Sequence, residues 1–485
     1  MLKNALGSQE SHIGVKYPFA IIPSGEKWMK TDIVILAAGQ GSRMKSALPK
    51  VLHPLAGKPL LFHVIDSASH ITDSQLHLVI GHGADQVESA IRDSAADVKL
   101  AVQAQQLGTG HAVAQALPNC AEDSIVLILY GDVPLTPNTV FTSLITEANK
   151  GQLALLTVTL DDPTGYGRIL RNHNNEVVAI VEQKDATPEE LQVEEVNTGI
   201  LAVHVRYLRK WLPLLSSENA QGEYYLTDII AMAAADGVPI AAIQPQYEQE
   251  VQGVNTRSQL AQLERWYQQQ LAEALMASGV TLADPSRFDL RGNLSTGTDI
   301  FIDINCVFEG DVEIAEQVSI GPNCMIRNSR IGKHTVIEAN THIDGAEIGE
   351  HAHLGPFARI RPGTQLGKAT KIGNFVETKK AVLGQGSKVN HLSYIGDAII
   401  GESVNIGAGT ITCNYDGVNK STTKIGDNVF VGSNTALVAP VDISANATIA
   451  AGSVITKTVE EGQLAIARGQ QRNIIGWKRP QKRQS

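Results

Sequence analysis

Between Thr31 and about Asn255 the chain alternates short apolar runs with amphipathic stretches. "DIVILAAG", "LHLVIGHG", "DSIVLILYGDVP" and "LALLTVTL" are continuous enough to be strands buried on both faces. "GADQVESAIRDSA" and "GTGHAVAQAL" lie between them with helical spacing. This alternation predicts a largely parallel sheet covered by helices. From Ser258 to Ser278, Leu260, Leu263, Trp266, Tyr267, Leu271 and Leu275 recur at helical spacing. They predict one long amphipathic helix, which either joins two domains or closes the first.

From about Gly279 the period changes again. Aliphatics fall six apart at Ile348, Leu354, Ile360, Leu366 and Ile372, at Leu383, Val389 and Ile395, and at Ile425, Val431, Leu437, Ile443 and Ile449. Many are followed by glycine. This is the hexapeptide repeat of a parallel β-helix, in which each short strand sends one aliphatic inward. Breaks in phase at about 373–382 and 412–424 are expected to be loops thrown out from the stack, where function tends to sit on a regular scaffold. The chain thus divides into an extension (1–30), an α/β domain (31–255), a linker helix (256–278), a β-helix (279–457) and a tail (458–485).

Composition narrows the class. A length of 485 residues exceeds what one core usually supports. The net charge of −10 argues against non-specific nucleic-acid binding but leaves room for anionic substrates in local basic pockets. Cys120, Cys306, Cys324 and Cys413 show neither CxxC nor disulfide-like spacing, so buried reduced thiols are expected. The short apolar patch "YPFAII" is broken by Pro18 and followed by charge, which fits neither a signal peptide nor a membrane span; a cytoplasmic protein is expected. "MKTDIVILAAG" would itself make a natural domain start, so residues 1–30 read as an appendage, either disordered or upstream of the true start. The basic end "GWKRPQKRQ" reads as a solvated tail or an arm touching an anionic ligand of a neighbouring subunit, rather than as a nucleic-acid tail.

Candidate chemistry begins at "LAAGQGSRM" followed by Pro49-Lys50. A dinucleotide fingerprint needs a third small residue where Met44 stands, and a P-loop needs GK[ST], which is missing. Backbone N–H groups with Arg43 and Lys50 would suit a triphosphate. Taken alone, the loop is equally a structural turn. "LILYGDVPL" adds Asp132 just past a buried strand, where open α/β sheets bind ligands; an Asx-turn is the alternative. Asn255 in "VQGVNTR" could add a second oxygen ligand for Mg²⁺.

The motifs "LAAGQGSRM…PKVLH", "QQLGTGHA", "YGDVPL", "DDPTGYGRI", "VNTGI", "GEYYLTDII" and "GVNTR" stand in the order found in sugar-nucleotide pyrophosphorylases. Joined to "NFVETKKA", "HLSYIGDA" and "GAGTITCNYDG", they resemble the bifunctional N-acetylglucosamine-1-phosphate uridyltransferase/glucosamine-1-phosphate acetyltransferase family from Thr31 to the C-terminus. The resemblance implies a Rossmann-like nucleotidyltransferase domain joined by the helix to a left-handed β-helix, assembled as a homotrimer. It implies that the chain makes UDP-N-acetylglucosamine, a cell-wall precursor, from UTP and acetyl-CoA, with Mg²⁺ and without nucleic acid or membrane insertion. By position, Leu36, Ala37, Ala38, Gly39 and Lys50 would meet the nucleotide, with Arg43 on its triphosphate. Gln103, Gly108 and Thr109 would hold the uridine part. Tyr130, Gly131, Gly167, Glu182 and Asn197 would line the sugar-nucleotide site, and Asp132 with Asn255 would hold the metal. In the β-helix the resemblance assigns His391 as general base. It puts Arg361, Lys379, Tyr394 and Asn405 on glucosamine 1-phosphate, with Asn414 and Tyr415 completing the site. Ala408, Ser433, Ala451 and Arg468 would meet acetyl-CoA. The alternative is a single-activity nucleotidyltransferase whose β-helix is structural or regulatory.

Overall fold

The computed structural model describes residues 12–13, 28–94 and 96–480, so most of the extension, including "YPFAII", lies outside the described residues. The described residues divide into two compact units, with the boundary between 267 and 268.

The first unit is a nine-stranded sheet between helices. Its strands are β1 (Lys30–Ala37), β2 (Ser74–Ile80), β3 (Val98–Val102), β4 (Ser124–Tyr130), β5 (Leu153–Thr159), β6 (Arg168–Arg171), β7 (Val177–Val181), β8 (Glu195–His204) and β9 (Ile240–Ile243). Their order is β7-β6-β8-β4-β1-β2-β3, with β5 on β8 and β9 on β5. The half β4-β1-β2-β3 is parallel, as the apolar runs require. The long strand β8 runs antiparallel to β4, β5 and β6, making the other half mixed. Each face buries a separate core. Ile33, Ile35, Leu78 and Leu127 pack under α1 (Leu60–Ser69), α2 (Ala84–Ser94) and α4 (Asn138–Asn149). Val34, Val79, Val126 and Ile128 pack under α3 (Thr109–Ala116), α5 (Val205–Trp211) and α6 (Asp228–Ala235).

The predicted long helix is α7 (Arg257–Ala277), and the boundary between the units falls within it. Leu263 is buried with Met44, Leu55, Leu60, Leu135 and Val254, and Leu260, Trp266 and Tyr267 pack at the rim of that cluster. No described helix is long and apolar enough to cross a membrane.

The second unit is a parallel β-helix. Two- to nine-residue strands stack coil on coil in parallel register, as in Phe288↔Cys306 and Phe301↔Ser319. Every aliphatic of the six-residue period named above is buried, from Ile348 to Ile449. One expected loop does not exist: residues 373–382 continue as the strands Lys371–Asn374 and Glu377–Leu383. Thr378 takes the inward position there, its hydroxyl 3.2 Å from that of Thr364, and the next step is one residue shorter. A threonine indoors hides from a count of aliphatics. The second break is real. Lys388 pairs with Asn405 and Asn405 with Phe430, so one coil carries surplus residues, and these leave the stack between the strands Ile411–Cys413 and Thr423–Ile425.

Two candidate active sites

The apolar strand β1 ends at Ala37, and the chain then turns through the glycine loop. Gly41 has φ +61°, and a Cβ there would lie 2.7 Å from the Cβ of Lys50, so this glycine lets the loop fold back on Lys50. A Cβ at Gly39 would meet no protein atom, leaving its face open to an incoming ligand. Met44 ends a single 3₁₀ turn (Ser42–Met44) and is buried. No dinucleotide-type helix starts at this loop, as the missing third small residue predicts.

Ten of the residues assigned to the nucleotide, the sugar nucleotide or the metal line one cleft of about 530 Å³: Leu36, Ala37, Ala38, Gly39, Lys50, Gln103, Gly108, Thr109, Tyr130 and Asp132. Gly131 lies beside it, its N–H donating to the Leu36 carbonyl at 2.9 Å. Gln103 donates from Nε2 to the Gly108 carbonyl at 3.0 Å, and Thr109 Oγ1 accepts the N–H of Leu226. The loop before α3 is thereby fastened to "GEYYL". That attachment brings Glu223 into the cleft wall together with Gln106. Sequence reasoning passed over both. Glu223 lay inside a quoted motif, but only folding turns it towards the cleft.

Asp132 and Asn255 are brought together by backbone, since Val254 N–H donates to the Asp132 carbonyl at 2.9 Å. Lys50 Nζ contacts Asp132 Oδ2 and lies 3.1 Å from Asn255 Oδ1, which also accepts Arg43 Nη2 at 3.0 Å. A carboxylate oxygen and an amide oxygen therefore converge on one cationic centre. This donor set suits a hard cation such as Mg²⁺, so the residues present fit the metal.

The residues assigned to the sugar end lie on neighbouring strands and turns. A Cβ at Gly167 would come within 3.4 Å of Glu182 Oε2, and Asn197 N–H donates to the Gly167 carbonyl at 2.9 Å. Thr227 donates to Glu182 at 3.0 Å, while burial pushes that carboxyl above its ordinary range. Burial, reinforced by the charges of Glu182 and Asp132, likewise pushes up the Tyr130 phenol.

In the β-helix, register sorts the predicted residues onto two sheets, with Lys379 and Tyr394 on strands of one and His391 and Asn405 on strands of the other. Lys379 pairs with Gly396 on the next coil, and Arg361 donates its N–H to the Thr378 carbonyl at 2.9 Å, so Arg361 and Lys379 stand on neighbouring coils. Arg361 is held by Glu377 at 2.6 Å. The Lys420 ammonium, then burial and Arg361, hold Lys379 below the usual lysine range. Lys420 comes from the excursion, bridged to Tyr415, and is a cation that the sequence reading missed. A cationic cluster of this kind is an anion site. Asn414 donates to Asp397 at the root of the excursion, and Tyr394 lies across the face, its ring over Gly396.

His391 ends the strand Lys388–His391 of the second sheet. The N–H groups of Gly409, Asn434 and Gly452 donate to the carbonyls of His391, Ala408 and Ser433 at 3.2, 2.7 and 2.8 Å. His391, Ala408, Ser433 and Ala451 therefore form one column on successive coils. Asn405 sits in the strand just before Ala408, and Arg468 closes the column by donating to the Ala451 carbonyl at 2.8 Å. Small side chains thus follow an exposed imidazole along this column.

Comparison with known proteins places both halves. The MobA-like NTP transferase domain matches residues 33–281, the bacterial transferase hexapeptide matches 328–362, and the hexapeptide repeat of succinyl-transferase matches 422–457. The bifunctional protein GlmU of Marinobacter nauticus is 60% identical over 93% of this chain and 99% of its own length. Its counterpart in Cellvibrio japonicus is 62% identical over 93% and 99%. The chain belongs to the bifunctional GlmU family. A third member, from Burkholderia multivorans, is 57% identical and is covered over its entire length. The β-helix is accordingly of the left-handed, hexapeptide class that GlmU proteins carry behind a nucleotidyltransferase unit.

Proposed function

We propose that the chain makes UDP-N-acetylglucosamine at two sites, acetylating glucosamine 1-phosphate and then uridylylating the product. The observation that carries this reading is the coexistence, in one chain, of a nucleotide cleft with convergent cations and a His391 column beside an anion site. In the acetyl-transfer step, Arg361, Lys379 and Lys420 hold the sugar phosphate, with Tyr394 spanning the face between them and His391. His391 takes a proton from the amine as its nitrogen attacks the thioester carbonyl. The tetrahedral intermediate then expels the coenzyme A thiolate, which lies along Ala408, Ser433 and Ala451 with Arg468 at the far end. Asn405, Asn414 and Tyr415 complete this site.

In the uridyl-transfer step, a phosphate oxygen of N-acetylglucosamine 1-phosphate attacks the α-phosphorus of UTP and pyrophosphate leaves. The nucleophile is already anionic, so no base is required, and catalysis is positioning and charge neutralisation. Asp132 and Asn255 would hold Mg²⁺, which when bound supplies positive charge at the phosphates. Arg43 and Lys50 neutralise the triphosphate, and Glu182, Asn197 and Tyr130 orient the sugar. We place the enzyme in the cytoplasm as a homotrimer. In support, the four cysteines are free, and Phe357 and Phe375 stack 5.2 Å apart as an exposed apolar ridge.

Paired assays test the proposal. Pyrophosphate is measured from UTP, N-acetylglucosamine 1-phosphate and Mg²⁺, and free thiol from acetyl-CoA and glucosamine 1-phosphate. We expect both, with His391→Ala losing about 10²–10⁴-fold in thiol release alone. Absence of thiol release from the unaltered chain would overturn the two-site reading.

A further inference from the structure

Asp32, His77 and Cys120 converge at the end of β1 remote from the glycine loop, roughly 20 Å away along the strand. They come from β1, β2 and the turn after α3, and are 3%, 0% and 6% exposed. One donor atom from each lies within 4.8 Å of the other two. His77 Nε2 is 2.7 Å from Asp32 Oδ1, and Asp32 Oδ2 accepts the N–H of Ala121 at 2.9 Å. The second ring nitrogen, His77 Nδ1, is buried without a partner. Nothing in either reaction uses these groups.

We propose that Asp32, His77 and Cys120 are a structural site for a borderline divalent cation of the Zn²⁺ class, separate from the oxygen site at Asp132 and Asn255. Zn²⁺ takes imidazole nitrogen, thiolate sulfur and carboxylate oxygen together, whereas Mg²⁺ is held by oxygen ligands alone. Charge balances as well, because one carboxylate and one thiolate neutralise a buried dication. Binding breaks the Cys120 S–H bond and releases its proton to solvent. Burial, then the Asp32 charge, pushes that thiol up to about 12, against smaller opposing effects of Arg209 and Lys99. Without a cation the thiol stays protonated and inert, and affinity rises with pH. The bound ion would tie β1, β2 and the turn after α3 to one another, fastening the base of the nucleotide-binding sheet.

Co²⁺ is the probe, added to chelator-stripped protein in excess Mg²⁺ so that the oxygen site is filled. We expect one equivalent to bind with a thiolate-to-cobalt charge-transfer band. Cys120→Ala should lose the band and roughly tenfold or more in affinity, while keeping uridyl transfer and its circular dichroism. His77→Gln is a second variant read by the same band. Zn²⁺ should raise the unfolding temperature of the unaltered chain and leave that of Cys120→Ala unmoved. A Cys306→Ser/Cys324→Ser double variant should keep the band. Absence of the band from the unaltered chain, or an equal band in Cys120→Ala, overturns the proposal.

Discussion

Arg43 and Lys50 share the Asn255 oxygen at 3.0 and 3.1 Å, although Asn255 is more than two hundred positions downstream. Arg43 reaches the site from an exposed 3₁₀ turn whose hold on the core is Met44, so removing its guanidinium should leave the fold intact. Arg43→Ala is expected to cut the kcat of uridyl transfer by about 10²–10³-fold, the scale of losing one preorganised charge donor. Thiol release should not change, and steady-state assays of both reactions on one preparation check this. Glu182 offers a pH test. Burial raises its carboxyl above the ordinary 4.5, so the folded state disfavours the charge. The associated stability is present below about 4.5 and is lost as pH rises through the folded value. Glu182→Gln should therefore unfold at a higher temperature than the unaltered chain at pH 8, with the gain vanishing near pH 4. Calorimetry at the two values decides it, and KM for the sugar phosphate should rise in the variant. The glycine loop, Asp132 and His391 were legible because each follows a strand signal or stands in a recognisable motif. Glu223 and Lys420 were not, because a lone charge in a polar stretch acquires meaning only from what folding puts opposite it.

Elements show the same division between local and non-local information. The six-residue period was legible because every coil repeats the same local demand, an aliphatic inward and a tight corner after it. It failed where a threonine replaced the aliphatic, at Thr378 and again at Thr412, which pairs with the inward Leu437. The excursion 414–422 was legible as a break, but its role depends on folding back. Ser421 N–H donates to the Asn414 carbonyl at 2.9 Å, and Lys420 is thereby carried to Lys379. Residues 416–421 carry none of the stacking strands; they lie between Ile411–Cys413 and Thr423–Ile425. Replacing them with a short glycine linker should preserve the far-ultraviolet circular dichroism and uridyl transfer. It should raise KM for glucosamine 1-phosphate at least about tenfold, the cost of one charge-assisted phosphate contact. A variant with unchanged KM would detach Lys420 from the phosphate site.

At the scale of the whole molecule, the two chemistries are divided by α7, and the division dictates where the chain can be cut. The boundary of the amphipathic pattern at Ser258 invites a cut before the helix. Yet Leu263 is fully buried against Met44 and Leu55, Arg257 Nε donates to the Met44 carbonyl at 3.2 Å, and Glu264 accepts the Ala56 N–H at 2.6 Å. Gln259 Oε1 also accepts the N–H of Asn255 at 2.9 Å. The first half of α7 thus holds in place both the loop that carries Arg43 and Lys50 and the amide assigned to the metal. Burial of a single leucine of this kind is worth about 2–5 kcal/mol against alanine. That is a large share of the roughly 5–15 kcal/mol that stabilises a typical domain. A chain ending at Ala277 should release pyrophosphate at a rate near that of the full protein and make no free thiol, because every acetyl-transfer residue follows it. A chain ending at Thr256 retains Arg43, Lys50, Asp132 and Asn255 but should lose uridyl transfer, with Leu263→Ala in the longer chain falling between them. Pyrophosphate release by the three proteins, normalised to folded protein by circular dichroism, measures this ordering. Equal rates for the two truncations would show that α7 is only a linker to the nucleotidyltransferase unit.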